Sequence, residues 1–496
     1  MTAEQIPALL PMIIVTMTSV LVMLAAAFFP SHPLSNRLTL SGLVLAFASL
    51  FWIEDLLPQQ VTPLIIVDRF ALFYSGLILA CGAAITVFSL NYFTASDRQR
   101  AYVNAAEFYI LLLVAILGAM VLVSCNHFGS FFIGLELLGV SIYVLVAYLG
   151  QAKRGRSASL EAGIKYLILS GVASAILLFG MALLYAEFGA LAFDKLGAAW
   201  KVEAALEHLF AAAGLGMVVA GICFKLSLVP FHMWTPDVYE GAPAPATAFV
   251  ATISKGAIFA FMLRFFDATG AFDNRSLLLG MGLIAIASML GGNLLALLQT
   301  NVKRMLAYSS IAHIGYLMVA FLAGGTGRVS AGVVGEAVGF YLVAYFVTTL
   351  GAFGVVCVLS NMNGYRDLDV LEEYKGLFWR APCLATVMVA MLLSLAGIPL
   401  TVGFIGKFYL FTVGTQGLMW WLLVALLLGS AIGLYYYLRL IIVMFMHPDE
   451  QLIEAGAAEF SIPGGDILVL TSLTVVLLWL GVYPQPLIRL IQSTAF

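Results

Sequence analysis

The chain has 496 residues, 62% of them hydrophobic and 10% charged, with a formal net charge of −3. A soluble globular protein carries about 25% charged residues, so that class is excluded. No basic run points to nucleic acid.

Apolar runs long enough to cross a hydrocarbon core of about 30 Å as helices recur along nearly the whole chain. Open strands would leave backbone groups unpaired in lipid, and the alternating segments of about ten residues that build an outer-membrane barrel are absent. The expected fold is therefore an all-α polytopic membrane protein. The N-terminal stretch MTAEQIPALLPMIIV has no basic residue and carries Glu4, so it reads as a first span and not as a cleaved signal peptide. Fourteen spans are predicted, at roughly 7–29, 37–56, 70–92, 107–123, 128–149, 162–187, 209–230, 243–266, 277–299, 305–324, 331–359, 383–414, 418–446 and 466–490. Loops after odd-numbered spans hold Arg37, Arg98, Arg100, Lys153, Arg154, Arg156, Lys303, Arg304, Arg366, Lys375 and Arg380, and the other loops hold fewer basic residues. The positive-inside rule then makes the odd loops cytoplasmic and both termini periplasmic.

Two spans are interrupted by similar motifs, LSLVP at 226–230 in the seventh and LSLAGIP at 393–399 in the twelfth. Proline removes a helical hydrogen bond and clashes one turn back. The breaks lie five spans apart, and an odd offset reverses chain direction, the pattern of inverted repeats. The expected organisation is a three-span region at 1–106, a first five-helix repeat at 107–266, a second, inverted one at 277–446, and a final span within 466–496. Ordinary proline kinks are the alternative. Between the eleventh and twelfth spans, Leu368, Leu371 and Tyr374 stand at helical intervals among charges, which fits a short interfacial helix or a solvated connector. Five cysteines lie far apart without metal or cluster spacing and read as buried structural residues.

Ionisable residues inside the spans carry the functional signal. Glu136 sits in SFFIGLELLGVSIYVLV, Lys225 ends one apolar run, Lys255 lies in ATISKGAIFAFML and Lys407 follows the second break. Each costs roughly 2.5–3.5 kcal/mol at the bilayer centre, and four together approach about 10 kcal/mol. That is comparable with the whole stability of a typical domain, about 5–15 kcal/mol. For Glu136, Lys255 and Lys407 the plain alternative is a structural ion pair. Lys165 and Arg264 stand near span ends, where snorkelling to a headgroup explains them as well. His232 beside Trp234 reads as an interfacial anchor or a polar station, and His313, in YSSIAHIGYLM, as a core histidine or a relay.

An ammonium has donors and no acceptor, so it does not coordinate Na⁺ or K⁺. Burial favours loss of its proton and a nearby carboxylate favours its retention, so Glu136 beside Lys225 makes a proton switch. No dinucleotide, P-loop, haem or zinc motif is present.

The runs FKLSLVPFHMWTPDVYEGAPAPATAFVATISK, QTNVKRMLAYSSIAHIGYLMVA, LSLAGIPLTVGFIGKFYLF and GSAIGLYYYLR resemble the antiporter-like membrane subunits of respiratory complex I, most of all the N subunit of the bacterial proton-translocating NADH:quinone oxidoreductase. The resemblance spans nearly the entire chain. It implies fourteen helices in two inverted repeats with a hydrated polar axis, and it assigns proton translocation to Glu136, Lys225, Lys255 and Lys407, with Lys165 and His232 at positions between them; His313 joins the candidates from its place within its span alone. Some relatives carry glutamate where this chain has Lys407. The resemblance further implies a translocase subunit of a bacterial inner membrane with no redox site or cofactor of its own. FMN, iron-sulfur clusters, NADH and quinone would be bound by other subunits, and its partners would be other antiporter-like and small membrane-arm subunits together with lipid. A subunit of a cation/proton antiporter or membrane-bound hydrogenase, and a non-conducting scaffold, are the rival readings.

Overall fold

The computed structural model describes residues 5–97, 105–148, 156–202, 209–363, 367–447 and 462–494, and the predicted loop residues Arg98, Arg100, Lys153, Arg154 and Arg366 lie outside them. In chain order the helices are α1 Leu10–Phe28, α2 His32–Ile53, α3 Arg69–Asp97, α4 Ala105–Val123, α5 Phe128–Val146, α6 Arg156–Phe188, α7 Phe193–Val202, α8 Leu209–Lys225, α9 Trp234–Gly241, α10 Ala244–Phe249 and α11 Lys255–Thr269. They continue with α12 Arg275–Leu297, α13 Val302–Gly324, α14 Ala331–Asn363, α15 Leu377–Arg380, α16 Pro382–Ala396, α17 Val402–Gln416, α18 Trp420–Phe445, α19 Gly464–Val482 and α20 Gln485–Gln492.

Among the described residues, twelve helices are long and apolar enough to cross a membrane. The other two predicted spans contain only shorter apolar helices, Leu209–Lys225 and Pro382–Ala396, because both are broken where the sequence motifs stand. After Lys225 the chain leaves the helix with Ser227 at φ 62° and a cis Val229–Pro230 bond. After Ala396 it turns through Gly397 at φ 86° and Leu400 at φ 70°, and resumes as α17.

Local chemistry sets the ends of these helices. Asn301 accepts a hydrogen bond from Arg304 N to start α13, and Asn274 does the same for Leu277 N at α12. Proline in the first turn opens α1, α2 and α16, where its missing N–H is no loss. The all-α expectation missed a small antiparallel hairpin, β1 Gln59–Thr62 with β2 Ile65–Val67, whose turn is tied by Thr62 Oγ1 accepting from Leu64 N and Ile65 N. Among its described residues the connector after α14 forms a 3₁₀ turn at Leu371–Tyr374 and the single turn α15, between the short interfacial helix and the plain connector that the sequence allowed. Four cysteines are buried as predicted, but Cys383 is exposed at the start of α16.

Three spans, Ala244–Thr269, Val302–Gly324 and Ala331–Asn361, are enclosed by the others, while the predicted first, second, sixth and last spans turn much of their surface outward. The enclosed spans carry Lys255, Ser310, His313 and Tyr345, described below. Neighbouring helices approach closely where glycine allows it. A Cβ on Gly118 of α4 would lie 2.6 Å from Leu138 N and 2.8 Å from Gly134 O of α5, both backbone atoms that cannot move aside. Gly118→Ala is therefore expected to force α4 from α5 and to destabilise the protein by about 1–3 kcal/mol. Thermal unfolding of the detergent-solubilised protein measures this, and an unchanged midpoint would contradict the packing described.

Candidate functional site

Glu136 faces α6 from α5. Its carboxylate accepts from Ser174 Oγ at 2.8 Å. One turn earlier on α6, Ser170 Oγ accepts from Lys225 Nζ at 2.7 Å and lies 2.8 Å from Tyr143 OH. Lys225 is buried, at the last position of α8, with the chain already turning away behind it. Glu136 and Lys225 form no direct ion pair among the described residues; two serines four positions apart on α6 stand between them.

The second cluster surrounds Lys255. A π-helical turn, Val250–Ser254, precedes it and re-aims the helix, the kind of irregularity often found at functional positions. Lys255 is 1% exposed, and its Nζ donates to Ser310 Oγ at 2.5 Å. Tyr345 OH donates to the same hydroxyl at 2.9 Å, Tyr239 OH lies 3.4 Å from it, and the ammonium sits 5.7 Å from the centre of the Tyr239 ring. From Ser310 the polar line continues along α13. His313 is buried with Nδ1 2.8 Å from Tyr341 OH and Nε2 3.4 Å from Tyr437 OH, and Tyr437 OH is hydrogen-bonded to Ser309 Oγ.

Lys407 forms the third station. Its Nζ donates to Ala396 O at 2.9 Å, a carbonyl left without a helical partner by the break between α16 and α17. It also lies 5.2 Å from the Tyr316 ring, whose hydroxyl accepts from Asn293 Nδ2 at 2.8 Å. His313 and Tyr316 meet edge to face at 5.4 Å, so the Lys255 and Lys407 stations share one aromatic wall.

The remaining predicted residues sit elsewhere. His232, in the segment between α8 and α9, is buried and its ring nitrogens reach no side chain among the described residues, so it is not an interfacial anchor. Trp234 is buried too and donates Nε1–H to Phe224 O at 3.1 Å, beside Lys225. Lys165 is exposed and paired with Glu161 at 2.7 Å and Asp237 at 2.8 Å, outside the buried line. Burial pushes the Asp237 carboxyl up, but the hydrogen bonds from Lys165 and Arg304 outweigh this and hold it below its ordinary value. Arg264 does not snorkel. It forks onto Asp68 at 2.7 and 2.8 Å, tying the end of α11 to the residue before α3.

Sequence reading missed the hydroxyl residues, chiefly Ser170, Ser174, Ser310 and Tyr345, that connect the charges it found. A serine pair spaced by four on α6 and the Ser-Ser before Ile-Ala-His on α13 were the available signals.

A bundle with two broken spans and a line of buried amines, hydroxyls and one carboxylate has the architecture of the antiporter-like membrane subunits. The chain belongs to the NADH:quinone oxidoreductase/Mrp antiporter transmembrane family, which matches residues 125–433. It is similar to a chain of respiratory complex I from Thermus thermophilus, solved with bound aureothin, at 32% identity and TM-score 0.80, covering 97% of this chain and 98% of that one. A chain of an archaeal respiratory membrane complex, the membrane-bound sulfane sulfur reductase, shares the fold at 23% identity and TM-score 0.83, covering 99% of this chain and 97% of that one. So does a chain of the Mrp complex from Dietzia sp. DQ12-45-1b, at 20% identity and TM-score 0.80, covering 100% of this chain and 97% of the other.

Gly397 holds Lys407 in place from below: a Cβ there would lie 2.8 Å from Lys407 Cδ, and φ 86° is already unfavourable for any other residue. Gly397→Ala is expected to cost at least about 1–2 kcal/mol from the backbone alone. Thermal unfolding in detergent should show that loss, and a wild-type midpoint would mean the turn relaxes freely.

Proposed function

We propose that this chain is a proton-translocating membrane-arm subunit of a bacterial inner-membrane NADH:quinone oxidoreductase, with Glu136, Lys225, Lys255 and Lys407 as its proton-carrying groups. The observation that carries the reading is the pattern of contacts at these four residues. Among the described residues each is held by a neutral hydroxyl or carbonyl and not by a counter-ion, so each can change its proton occupancy without breaking a structural ion pair. The similarity at 32% identity to a chain of a respiratory complex I supports this assignment over the other complexes that share the fold.

In this reading the α6 serines set the distance between Glu136 and Lys225. Opposite charges about 4 Å apart attract by about 4 kcal/mol at an effective dielectric constant near 20. A movement of α5 against α6 that brought the two from wide separation to that distance would strengthen the hold of Lys225 on its proton by up to roughly a thousandfold. A conformational signal from quinone chemistry in another subunit would drive that shift, and protons would pass from Lys225 to Lys255 and Lys407 before release. Ser310 and Tyr345 bond at the Lys255 station, and His313 with Tyr341 and Tyr437 forms a second polar group on the way to Lys407, with water completing the path between them. His232 lies in the broken segment that follows Lys225, and Lys165 acts from the surface through Asp237. Lys303 and Arg304 at the start of α13 and Lys375 in the connector after α14 support a cytoplasmic position for that end of the bundle, with both termini periplasmic. The fold supports two inverted five-helix repeats centred on the breaks at 226–233 and 397–401. NADH, FMN, iron-sulfur clusters and quinone would belong to partner subunits.

Glu136→Gln and Lys225→Ala are each expected to lower proton pumping and NADH-driven quinone reduction together by about tenfold, equivalent to about 1.4 kcal/mol. Pumping is read by quenching of a pH-sensitive dye in inverted membrane vesicles, and assembly by native electrophoresis. Full pumping in either variant would sink the reading. Ser310→Ala, which removes the common acceptor of Lys255 and Tyr345, should slow pumping several-fold in assembled complex. Copurification with an iron-sulfur arm distinguishes this assignment from an antiporter complex.

A further inference from the structure

At the basic end of the bundle a second group of buried titratable side chains takes no part in the line just described. Lys303, in the first turn of α13, is 1% exposed and donates to Asp367 Oδ2 at 2.6 Å and to Ala242 O at 2.7 Å. Tyr92 OH donates to the other Asp367 oxygen at 2.7 Å. Its neighbour on α3, Asn91, donates to Asp466 Oδ2 at 3.1 Å. Asp466, in the first turn of α19, is 1% exposed, and its Oδ1 has no hydrogen-bond partner. Asn91 and Tyr92 are consecutive residues of α3, so Asp466 and Asp367 are anchored at neighbouring positions of one helix. At the rim, Asn301 donates to Asp369 at 2.6 Å and to Glu240 at 3.4 Å, so two further carboxylates flank the entrance.

A structural ion pair explains Lys303 and Asp367, whose charges cancel and whose polar atoms are bonded. It does not explain Asp466. Among the described residues one neutral amide is its only donor, and a buried carboxylate oxygen without a partner is destabilising. Of the other helices packed on α19, α16 carries no charged residue and α17 only Lys407, which is engaged at Ala396, while the one charge on α14, Glu336, lies near its opposite end. The cluster also points toward Lys255. Lys303 and Ser310 are seven residues apart on α13, two turns along one face and about 10 Å of rise. Between them Thr247 Oγ1 donates to Ala242 O at 3.4 Å, and Tyr239 OH reaches Ser310.

We propose that Asp466, Asp367 and Lys303 form a second proton-binding station, which takes protons from the aqueous phase at the basic end and delivers them toward Lys255. An O–H bond forms at Asp466 Oδ1 and breaks as the proton passes to the Asp367 carboxylate. Lys303 gives one ammonium proton toward the Ser310 and Lys255 pair and regains one from Asp367. The cluster returns to its starting state, and one proton has moved from water to the Lys255 amine.

The direction of delivery rests on the proposed function; the existence of the site does not. Infrared difference spectroscopy of the purified complex during a pH titration should show a protonated-carboxyl stretching band that is missing in Asp466→Asn. In vesicles, Asp466→Asn should pump normally at acid pH and several-fold more slowly at alkaline pH, at unchanged content of assembled complex. The paired replacement Lys303→Met with Asp367→Leu, which restores packing without charge, should reproduce the alkaline defect. A titrating band that survives in Asp466→Asn, or a pumping profile identical to wild type at every pH, overturns the proposal. If Lys225→Ala pumps fully, the proposed function fails, while the infrared result still decides the proton site.

Discussion

Charge buried in a bilayer must be compensated by the protein itself, and the way this chain does so divides its ionisable residues into two kinds. At the ends of the bundle, charge meets charge: Arg264 with Asp68, Lys303 with Asp367, Arg304 with Asp237 and Glu240. At mid-depth, Glu136, Lys225, Lys255 and Lys407 are held by serines or by a freed carbonyl. Breaking a buried ion pair leaves an uncompensated charge and costs about 3–5 kcal/mol. A hydroxyl, which both donates and accepts, can stay bonded to an amine in either protonation state. The end pairs fasten helices together, and the central contacts involve no counter-ion among the described residues.

The broken helices belong to the same logic. A continuous helix satisfies its own carbonyls and has none to offer. Ending α16 at Ala396 releases a carbonyl that binds Lys407, and ending α8 at Lys225 places the ammonium at a helix C-terminus, where the backbone dipole favours positive charge. The π-turn before Lys255 is a milder form of the same device. Close packing supports these irregularities. The spans carrying Lys255, His313 and Tyr345 are enclosed on all sides, so their loosened backbone meets protein and not lipid.

One fold thus serves respiratory complexes and an Mrp complex alike, as the shared architecture of the three solved relatives shows. In this chain the shared fold holds a polar line with helix breaks beside it.

The membrane fold was legible in sequence because hydropathy is additive along the chain. A run of apolar residues spans a bilayer whatever its neighbours do, and a proline after LSL breaks a helix locally. The charged stations were legible for the same reason, since each stands out against an apolar background. Partners were not. Whether Arg264 snorkels or pairs depends on Asp68, 196 residues away in sequence, and whether Lys303 lies in a solvated loop or in the interior depends on the connector that carries Asp367. Serines and tyrosines are common enough to be invisible until packing sets them against a lysine. Sequence alone determined which segments cross the membrane, where two of them break and which residues place charge in oil. Tertiary structure decided which charges meet an opposite charge and which meet neutral groups, because hydrogen bonds form between helices distant in sequence, and their geometry exists only once the bundle is closed.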